Sequence, residues 1–198
     1  MDTEMVIRAV QRKLGLEDDG RPGPITWAAI YSKIVGDNVP EELSGNVDAR
    51  SEAVIQTLHP SARPYARALV NKAASIGIDI KVISGLRTFA EQDKLYAQGR
   101  TTPGKKVTNA KGGQSNHNYG IAFDVGVFDG PKYLPNSPKY KVVGGIGQEL
   151  GLEWGGNWTT IVDQPHFQLR PDWAKNESER EMLVELFRRH ENGLDYYA

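Results

Sequence analysis

Two histidines and two aspartates, in two short segments, are the residues whose types and spacing favour metal chemistry. His117 precedes Asp124 by seven residues, and Asp163 precedes His166 by three with a proline between them. A catalytic zinc ion takes three nitrogen or oxygen ligands from the protein and keeps a fourth position for water. Two histidines and a carboxylate supply that set, and the further acid is available for proton transfer. The alternative is structural, because a single histidine or aspartate more often packs or forms an ion pair than binds metal.

The residues around Asp124 alternate as they do in a β-strand. Alternate side chains of a strand point to opposite faces, so Asp124 is expected on the less hydrophobic face. His117 lies in the turn before this strand and can fold back beside Asp124, helped by Gly120. The segment 163–169 likewise separates His166 and Gln168 from Phe167 and Leu169. The residues expected on the core face of the first strand are Ile121, Phe123, Val125 and Val127.

Other residues suit the remaining steps of a hydrolysis. Asp163 suits the role of general acid and base, which takes a proton from water and later gives it to the leaving amine. Arg87 follows a predicted strand and could stabilise an oxyanion or hold a substrate carboxylate, although an ordinary surface arginine is the alternative. The aromatic side chains of Tyr119, Trp154 and Trp158 either line a cleft or pack as ordinary core and rim residues.

Composition narrows the class of protein. The length of 198 residues predicts one domain of ordinary size with a small appendage. Hydrophobic residues make up 39% of the chain and charged residues 25%, which is typical of globular proteins. The net charge of −1 gives no electrostatic reason to expect nucleic-acid binding. The sequence has no cysteine, which excludes disulfides and thiolate zinc sites. We interpret the remaining histidines, His59 and His190, as structural.

The start of the sequence has no basic segment followed by an apolar core, so we expect no secretory signal peptide. No apolar run approaches the ~20 residues that span a bilayer, so no transmembrane segment is expected. We therefore expect a protein made in the cytoplasm that leaves it, if at all, by a route that its own sequence does not encode.

Helical periodicity, caps and turn residues predict the order of elements. We expect a small helical segment at 1–36, a polar linker at 37–50 and a main domain at 51–198. In the final helix, the expected core residues are Met182, Leu183, Leu186 and Phe187. Helices are predicted over 4–14, 24–34, 47–58, 61–75, 88–99, 141–150 and 177–191, and strands over 78–84 and 121–127.

The N-terminal segment resembles a known wall-binding module. Residues 5–31 carry the pattern Val-Gln-Arg-Lys-Leu-Gly, then Asp-Gly-Arg-Pro-Gly-Pro-Ile-Thr-Trp-Ala-Ala-Ile, which is similar to the repeat of small helical peptidoglycan-binding domains. The segment is shorter than the usual three-helix module. The resemblance implies binding to the cell wall, and the alternative is a helical hairpin that packs on the main domain.

The main domain resembles the zinc peptidase family of D-alanyl-D-alanine carboxypeptidases and L-alanyl-D-glutamate endopeptidases. The resemblance covers about residues 50–170 and depends on three motifs, namely Ser-Gly-Leu-Arg87, Ser115-x-His117-x-x-Gly-x-Ala-x-Asp124 and Asp163-x-Pro-His166. It implies a compact α+β domain with a small antiparallel sheet flanked by helices. The site implied is one zinc ion held by His117, Asp124 and His166, with Asp163 as catalytic base and Arg87 on the substrate. We expect substrate contacts from Ser115, Tyr119 and Trp154.

One departure from the carboxypeptidase pattern bears on the substrate. That branch typically has glutamate at the base position, whereas this chain has Asp163, which is more similar to the endopeptidase branch and its phage endolysins. We therefore expect an endolysin-like monomer that cleaves the L-Ala-D-Glu bond of the peptidoglycan stem peptide after release through the membrane. The alternatives are a D-alanyl-D-alanine carboxypeptidase and a non-catalytic module that binds the cell wall.

Overall fold

The computed structural model describes residues 2–16, 18–21, 26, 30, 45–159 and 161–198. The chain divides into two compact units, Met1–Glu42 and Leu43–Ala198. Within the described ranges, no helix has both the length and the apolar character that a membrane span requires.

The N-terminal unit contains helix α1 (Thr3–Lys13), which confirms the first predicted helix. The side chain of Asp2 caps its first turn, and the buried Gln11 organises the turn that follows. Gln11 Nε2 donates to Asp19 Oδ1 at 2.7 Å and to Thr26 Oγ1 at 3.0 Å, while its Oε1 accepts from Gly20 N. Most of the second predicted helix, 24–34, lies outside the described residues.

The larger unit mixes helices with a small antiparallel sheet, which confirms the α+β prediction. The sequence does not predict β3 or β4, because two residues are too few to show a period. Short 3₁₀ helices lie at Asn116–Tyr119, Gly155–Asn157 and Asp172–Ala174. In chain order the elements are α2 (Ala49–Ile55), α3 (Arg63–Ser75), β1 (Ile80–Ser84), α4 (Phe89–Ala97), β2 (Ala122–Asp129), β3 (Lys132–Tyr133), α5 (Lys139–Glu149), β4 (Glu153–Trp154), β5 (His166–Gln168) and α6 (Glu179–Glu191).

The sheet has the strand order β1-β2-β5-β4, and β3 pairs with the end of β2. Its register determines where the polar residues meet. Asp124 of β2 lies opposite His166 of β5 on one side and Ser84 of β1 on the other. Side chains directly opposite each other on antiparallel strands share a face and lie about 5 Å apart at Cβ. The sheet therefore brings the two polar segments of the sequence together.

The main core lies between the sheet and the helices α3 and α5. Phe123, Val125 and Val127 are fully buried there, as their alternation predicts. Burial of each such side chain stabilises the fold by about 1.5–3 kcal/mol relative to exposure. Leu69 from α3 and Val143 from α5 belong to the same cluster.

A second cluster packs α6 against the 3₁₀ helix Asn116–Tyr119. Met182 and Leu186 of α6 are fully buried in it, as predicted. The prediction for Phe187 is wrong, because this side chain is 43% exposed and stacks on Phe89 at the edge of the cluster. Met182 and Leu186 are four residues apart and define the buried stripe, whereas Phe187 points about 100° away from Leu186.

Candidate metal centre and cleft

His117 is positioned by a tight turn before β2. It lies in the 3₁₀ helix Asn116–Tyr119, which ends at Gly120 in the left-handed conformation, with φ at 66°. A side chain at Gly120 would also place Cβ 2.8 Å from the backbone nitrogen of His59. His117 Nδ1 lies 2.8 Å from the carbonyl oxygen of Gly85. A carbonyl only accepts, so Nδ1 carries the proton and Nε2 presents a lone pair.

Asp124 lies between the two histidines. Its Oδ1 is 3.3 Å from His117 Nε2 and 3.3 Å from His166 Nδ1. One ligand atom from each of the three residues falls within 4.8 Å of the others. The carboxylate is largely buried, with its side chain 20% exposed. The structure thus brings together the three residues that the sequence analysis assigns to zinc.

The donor chemistry of these residues fits a metal ion. The second nitrogen of His166, Nε2, lies 3.0 Å from Gln168 Oε1, which places its proton there and leaves a lone pair on Nδ1. Lone pairs of His117, His166 and Asp124 therefore converge. Asp124 Oδ1 is correspondingly a buried atom without a hydrogen bond to any described residue. A cation satisfies all three atoms at once, and zinc favours this set of nitrogen and oxygen ligands.

The electrostatics of the site also favour positive charge between the ligands. Burial by itself would raise the pKa of Asp124, but the His117 and His166 rings outweigh it and hold this pKa below its usual range. Burial would lower the pKa of His166, but the Asp124 carboxylate, with help from Gln168, raises it. Both shifts have the same cause, namely a buried carboxylate that needs a cationic neighbour.

Asp163 lies at the same end of β5 as the metal ligands. Its carbonyl accepts from His166 N at 3.2 Å, and its backbone nitrogen donates to Gly155 O at 3.0 Å. A Cβ at Gly155 would stand 2.5 Å from the Asp163 carbonyl oxygen, so only glycine permits this approach. Burial, and next the charge of Asp124, raise the pKa of Asp163 above its usual value. Such a shift suits a carboxyl group that exchanges a proton with substrate.

Arg87 lies in the segment after β1 and lines the cleft beside the metal ligands. Its backbone nitrogen donates to His117 O at 3.0 Å, and its carbonyl accepts from Asn118 Nδ2 at 2.8 Å. Its guanidinium donates to Gln92 Oε1 at 2.8 Å and to Ser84 Oγ at 3.3 Å. Arg87 is therefore held at the cleft wall by backbone and side-chain contacts, unlike an ordinary surface arginine.

A cleft of about 1270 Å³ opens over the metal ligands. Among the residues expected to contact substrate, Ser115 and Trp154 line it. Trp158 also lines the cleft, and its ring lies 4.8 Å from the ring of His166. The indole of Trp154 donates to Gln164 O at 2.8 Å, which fixes that wall.

Tyr119 is the exception among the expected substrate contacts. It is 1% exposed, belongs to the second core cluster and donates its hydroxyl proton to Gly113 O at 2.7 Å. The structure therefore assigns Tyr119 to packing, the alternative that the sequence left open, because its ring is buried in that cluster and does not line the cleft. His59 and His190 also stand apart from the metal ligands, next to Asp195 and Tyr196 respectively.

A hydrogen-bonded polar group centred on the buried Gln168 lies next to His166, and sequence reasoning missed it. Gln168 contacts His166, and further hydrogen bonds join it to residues of β4, α6 and the 3₁₀ helix that carries His117. The signal available in the sequence was the shared parity of Gln168 and His166, which places both on one face of β5. The other members of the group are Asn116, Glu153, Arg170 and Glu179.

Comparisons with known proteins agree with this site. The family described as D-alanyl-D-alanine carboxypeptidase matches residues 108–169, the segment that holds the three ligands and Asp163. The peptidoglycan L-alanyl-D-glutamate endopeptidase CwlK of Bacillus subtilis is 40% identical over 127 residues, which are 58% of this chain and 75% of that protein. An L-alanyl-D-glutamate peptidase of a Listeria phage is 28% identical over 123 residues, which are 61% of this chain and 41% of that protein.

The L-Ala D-Glu endopeptidase ChiX of Serratia marcescens aligns with a TM-score of 0.49 and 26% identity, over 63% of this chain and 89% of that one. On the strength of the Bacillus relative, the chain belongs to the zinc metallopeptidase family of D-alanyl-D-alanine carboxypeptidases and L-alanyl-D-glutamate endopeptidases. Its cofactor is zinc, and His117, Asp124 and His166 form a group that could hold the ion.

Proposed function

We propose that this protein is a peptidoglycan hydrolase that cleaves the stem peptide at the L-Ala-D-Glu bond. The observation that carries the hydrolase assignment is the convergence of His117, Asp124 and His166 in the cleft that also contains Asp163. The 40% identity to the Bacillus endopeptidase supports the choice of bond. The aspartate at position 163 supports the same choice, since the carboxypeptidase branch typically has glutamate there.

The residues of the cleft have separate roles in this proposal. When bound, zinc supplies Lewis-acid chemistry, which lowers the pKa of water and polarises carbonyl oxygens. Asp163 takes the proton of the attacking water and delivers it to the departing amine nitrogen of D-Glu. Its raised pKa suits both steps. A carboxylate with a raised pKa is a stronger base towards the water, and its protonated form is still acidic enough to donate to the amine. Arg87 stabilises the negative charge that forms on the carbonyl oxygen.

A digest of purified peptidoglycan tests the proposal. The zinc-loaded protein is expected to release stem peptides that begin with D-Glu and to leave L-Ala on the glycan, which mass spectrometry identifies. The metal-stripped protein and Asp163→Ala are expected to release neither product, although Asp163→Ala still binds zinc. Continued turnover by Asp163→Ala would show that another group is the base.

Two other outcomes separate the alternatives. Loss of a terminal D-Ala, with the rest of the stem peptide intact, would assign the protein to the carboxypeptidase branch. Soluble stem peptides with an amidated C-terminus sharpen this test, because only a carboxypeptidase needs a free terminal carboxylate. Absence of any metal-dependent product from several wall types would instead favour a non-catalytic wall-binding module.

We also propose that residues 1–36 bind the cell wall, joined by the linker 37–50 to the catalytic domain 51–198. The similarity of 5–31 to peptidoglycan-binding repeats supports this role, since tethering raises the enzyme concentration at an insoluble polymer. Removal of residues 1–42 is then expected to lower the rate on intact sacculi while the rate on a soluble stem peptide is unchanged. Equal loss on both substrates would instead indicate that the segment braces the catalytic domain.

The place of action follows from the same proposal. The protein acts on the bacterial cell wall, in the manner of an endolysin that is made in the cytoplasm and released through the membrane. The phage relative supports this role. We propose that it acts as a monomer, which sedimentation at micromolar concentration tests directly.

A further inference from the structure

The two ring nitrogens of His166 have different neighbours. Nδ1 lies 3.3 Å from Asp124 Oδ1 at the metal position, and Nε2 lies 3.0 Å from Gln168 Oε1. A neutral imidazole carries its proton on only one nitrogen. Zinc requires the lone pair of Nδ1, so the proton must stay on Nε2, where it needs a hydrogen-bond acceptor.

The neighbours of Gln168 determine which end of its amide faces His166. Gln168 is 0% exposed and lies two residues from His166 on the same face of β5. Its Nε2 lies 2.6 Å from Glu153 Oε2, and an ionised carboxylate only accepts. Its Oε1 accepts from Asn116 Nδ2 at 2.6 Å. A flipped amide would place its NH₂ against the NH₂ of Asn116 and its oxygen against Glu153.

The same logic extends to Asn116. Its Nδ2 lies 2.5 Å from Glu179 Oε1, which fixes the NH₂ end of this amide. Arg170 contacts both carboxylates, with Nη2 2.8 Å from Glu179 Oε2 and Nε against Glu153. An arginine side chain has only donors, so the carboxylate oxygens that Arg170 contacts are acceptors. The direction of every hydrogen bond from these carboxylates to His166 is therefore determined.

We propose that Gln168 is a positioning residue of the metal centre, whose amide oxygen holds the proton of His166 on Nε2 and leaves Nδ1 free for zinc. Without this acceptor, Nδ1 becomes the better site for the proton, because Asp124 Oδ1 lies 3.3 Å from it. A proton on Nδ1 blocks the position that the ion requires. The inference rests on the proposed zinc hydrolase function, but it concerns the metal centre and not the bond that is cleaved.

The tautomer of His166 can be measured without substrate. In metal-stripped protein with ¹⁵N-labelled histidine, long-range ¹H–¹⁵N spectra at a pH where the imidazole is neutral report which nitrogen carries the proton. The unaltered protein is expected to show His166 protonated on Nε2. The variant Gln168→Met is expected to show a population protonated on Nδ1 and a zinc affinity lower by about 10–100-fold. Gln168→Glu alone would set two carboxylates against each other at the 2.6 Å contact with Glu153, so it is combined with Glu153→Gln. This double variant keeps an oxygen towards His166 and an amide NH₂ between positions 153 and 168, and it is expected to restore the Nε2 tautomer and most of the affinity.

A second buried glutamine provides the control. Gln92 is also 0% exposed, but it contacts Arg87 and no metal ligand among the described residues. Gln92→Met is expected to leave the His166 tautomer and the zinc affinity unchanged. An Nδ1-protonated His166 in the unaltered protein would overturn the proposal, even if Gln168→Met fails to fold. Equal loss of zinc affinity in both methionine variants would overturn it too, since the effect would then be general. The peptidoglycan digest, which tests the bond, is independent of both measurements.

Discussion

Gln92 is the buried residue of α4, and its Oε1 accepts a hydrogen bond from Nη1 of Arg87 at 2.8 Å. The other end of the same amide donates to Ala110 O at 2.8 Å and to Thr108 Oγ1 at 3.2 Å. A carbonyl only accepts, so Ala110 fixes the amide with its oxygen towards Arg87. Gln92 thereby connects the guanidinium to residues 108–110, which line the cleft.

This connection predicts how Gln92 variants behave. Gln92→Met removes the acceptor from Arg87, and we expect kcat/KM on a soluble stem peptide to fall about 10-fold, which corresponds to ~1.4 kcal/mol. Gln92→Glu keeps an acceptor for Arg87 but loses the amide donor to Ala110 O and Thr108 Oγ1, so it should retain more activity than Gln92→Met and less than the unaltered protein. Steady-state kinetics with zinc-loaded protein make the comparison. Equal rates for Gln92→Met and the unaltered protein would contradict a role for Arg87 orientation.

The role of Asp163 predicts a graded series. Asp163→Asn keeps the shape of the side chain but removes the base, and we expect hydrolysis to fall by about 10²–10⁴-fold. Asp163→Glu keeps a carboxylate at a slightly different position and is expected to recover part of that loss. Zinc content, measured by atomic absorption, should stay at one ion in both variants. Loss of zinc from Asp163→Asn would mean that Asp163 is a ligand rather than the base.

Metal removal should lower the thermal stability of the protein, because the three ligands bind the ion together only in the folded state. An ion that binds only the folded state at a thousandfold excess over its Kd stabilises it by about 4 kcal/mol. Zinc is therefore expected to raise the Tm of the stripped protein but not that of His117→Ala. The matched control is His190→Ala, which removes a histidine that contacts Tyr196 OH at 2.7 Å. Its Tm should still rise with zinc; a lost response would place His190 in the metal site.

We expect an ion pair between α2 and α3, away from the cleft, to make the stability of the folded protein sensitive to acid. The guanidinium of Arg67 donates to Glu52 Oε1 at 2.6 Å and to Oε2 at 2.9 Å, and these bonds lower the pKa of Glu52 to about 2. A carboxylate whose pKa is lower in the folded state stabilises the protein at pH values above its unfolded pKa, here 4.5. This contribution is lost as the pH falls towards about 2. Because the pair is partly exposed, we expect an effect of at most ~1 kcal/mol.

Urea unfolding of the metal-stripped protein measures this contribution. The stability difference between the unaltered protein and Glu52→Gln should be present at about pH 6 and should shrink on acidification to about pH 3. The comparison variant is Glu149→Gln at the end of α5, whose carboxylate forms no ion pair with any described residue, and its stability difference should not change over the same pH range. A pH-independent difference for Glu52→Gln would show that the ion pair contributes nothing.

We expect Trp158 to contribute to substrate binding without taking part in the reaction itself. Its ring is 37% exposed, lines the cleft and lies 4.8 Å from the His166 ring. We expect Trp158→Ala to raise KM by several-fold and to change kcat less, because the indole supplies contact area and no reacting group. Trp158→Phe should recover much of the loss. A fall in kcat with unchanged KM would instead indicate that the ring orients His166.

Much of the fold could be predicted from periodicity and caps. Thr88 and Glu91 form the predicted capping box at the start of α4, and the alternation around Asp124 buries Phe123 and Val125 as expected. These features are local, since caps and strand faces depend on residues a few positions apart. β4 could not be predicted, because a two-residue strand exists only through its pairing with β5.

By itself, the sequence determined the residue types for a zinc site, because His, Asp and their spacing limit which atoms can bind the ion. It also determined the family, through motifs that are contiguous in the chain. Only the tertiary structure decided which side chains meet across strands. The register that sets Asp124 opposite His166, the burial that directs Tyr119 into the core, and the contacts of Gln168 with Asn116 and Glu153 are long-range outcomes of packing. No local pattern specifies them, since they depend on contacts between segments far apart in the chain.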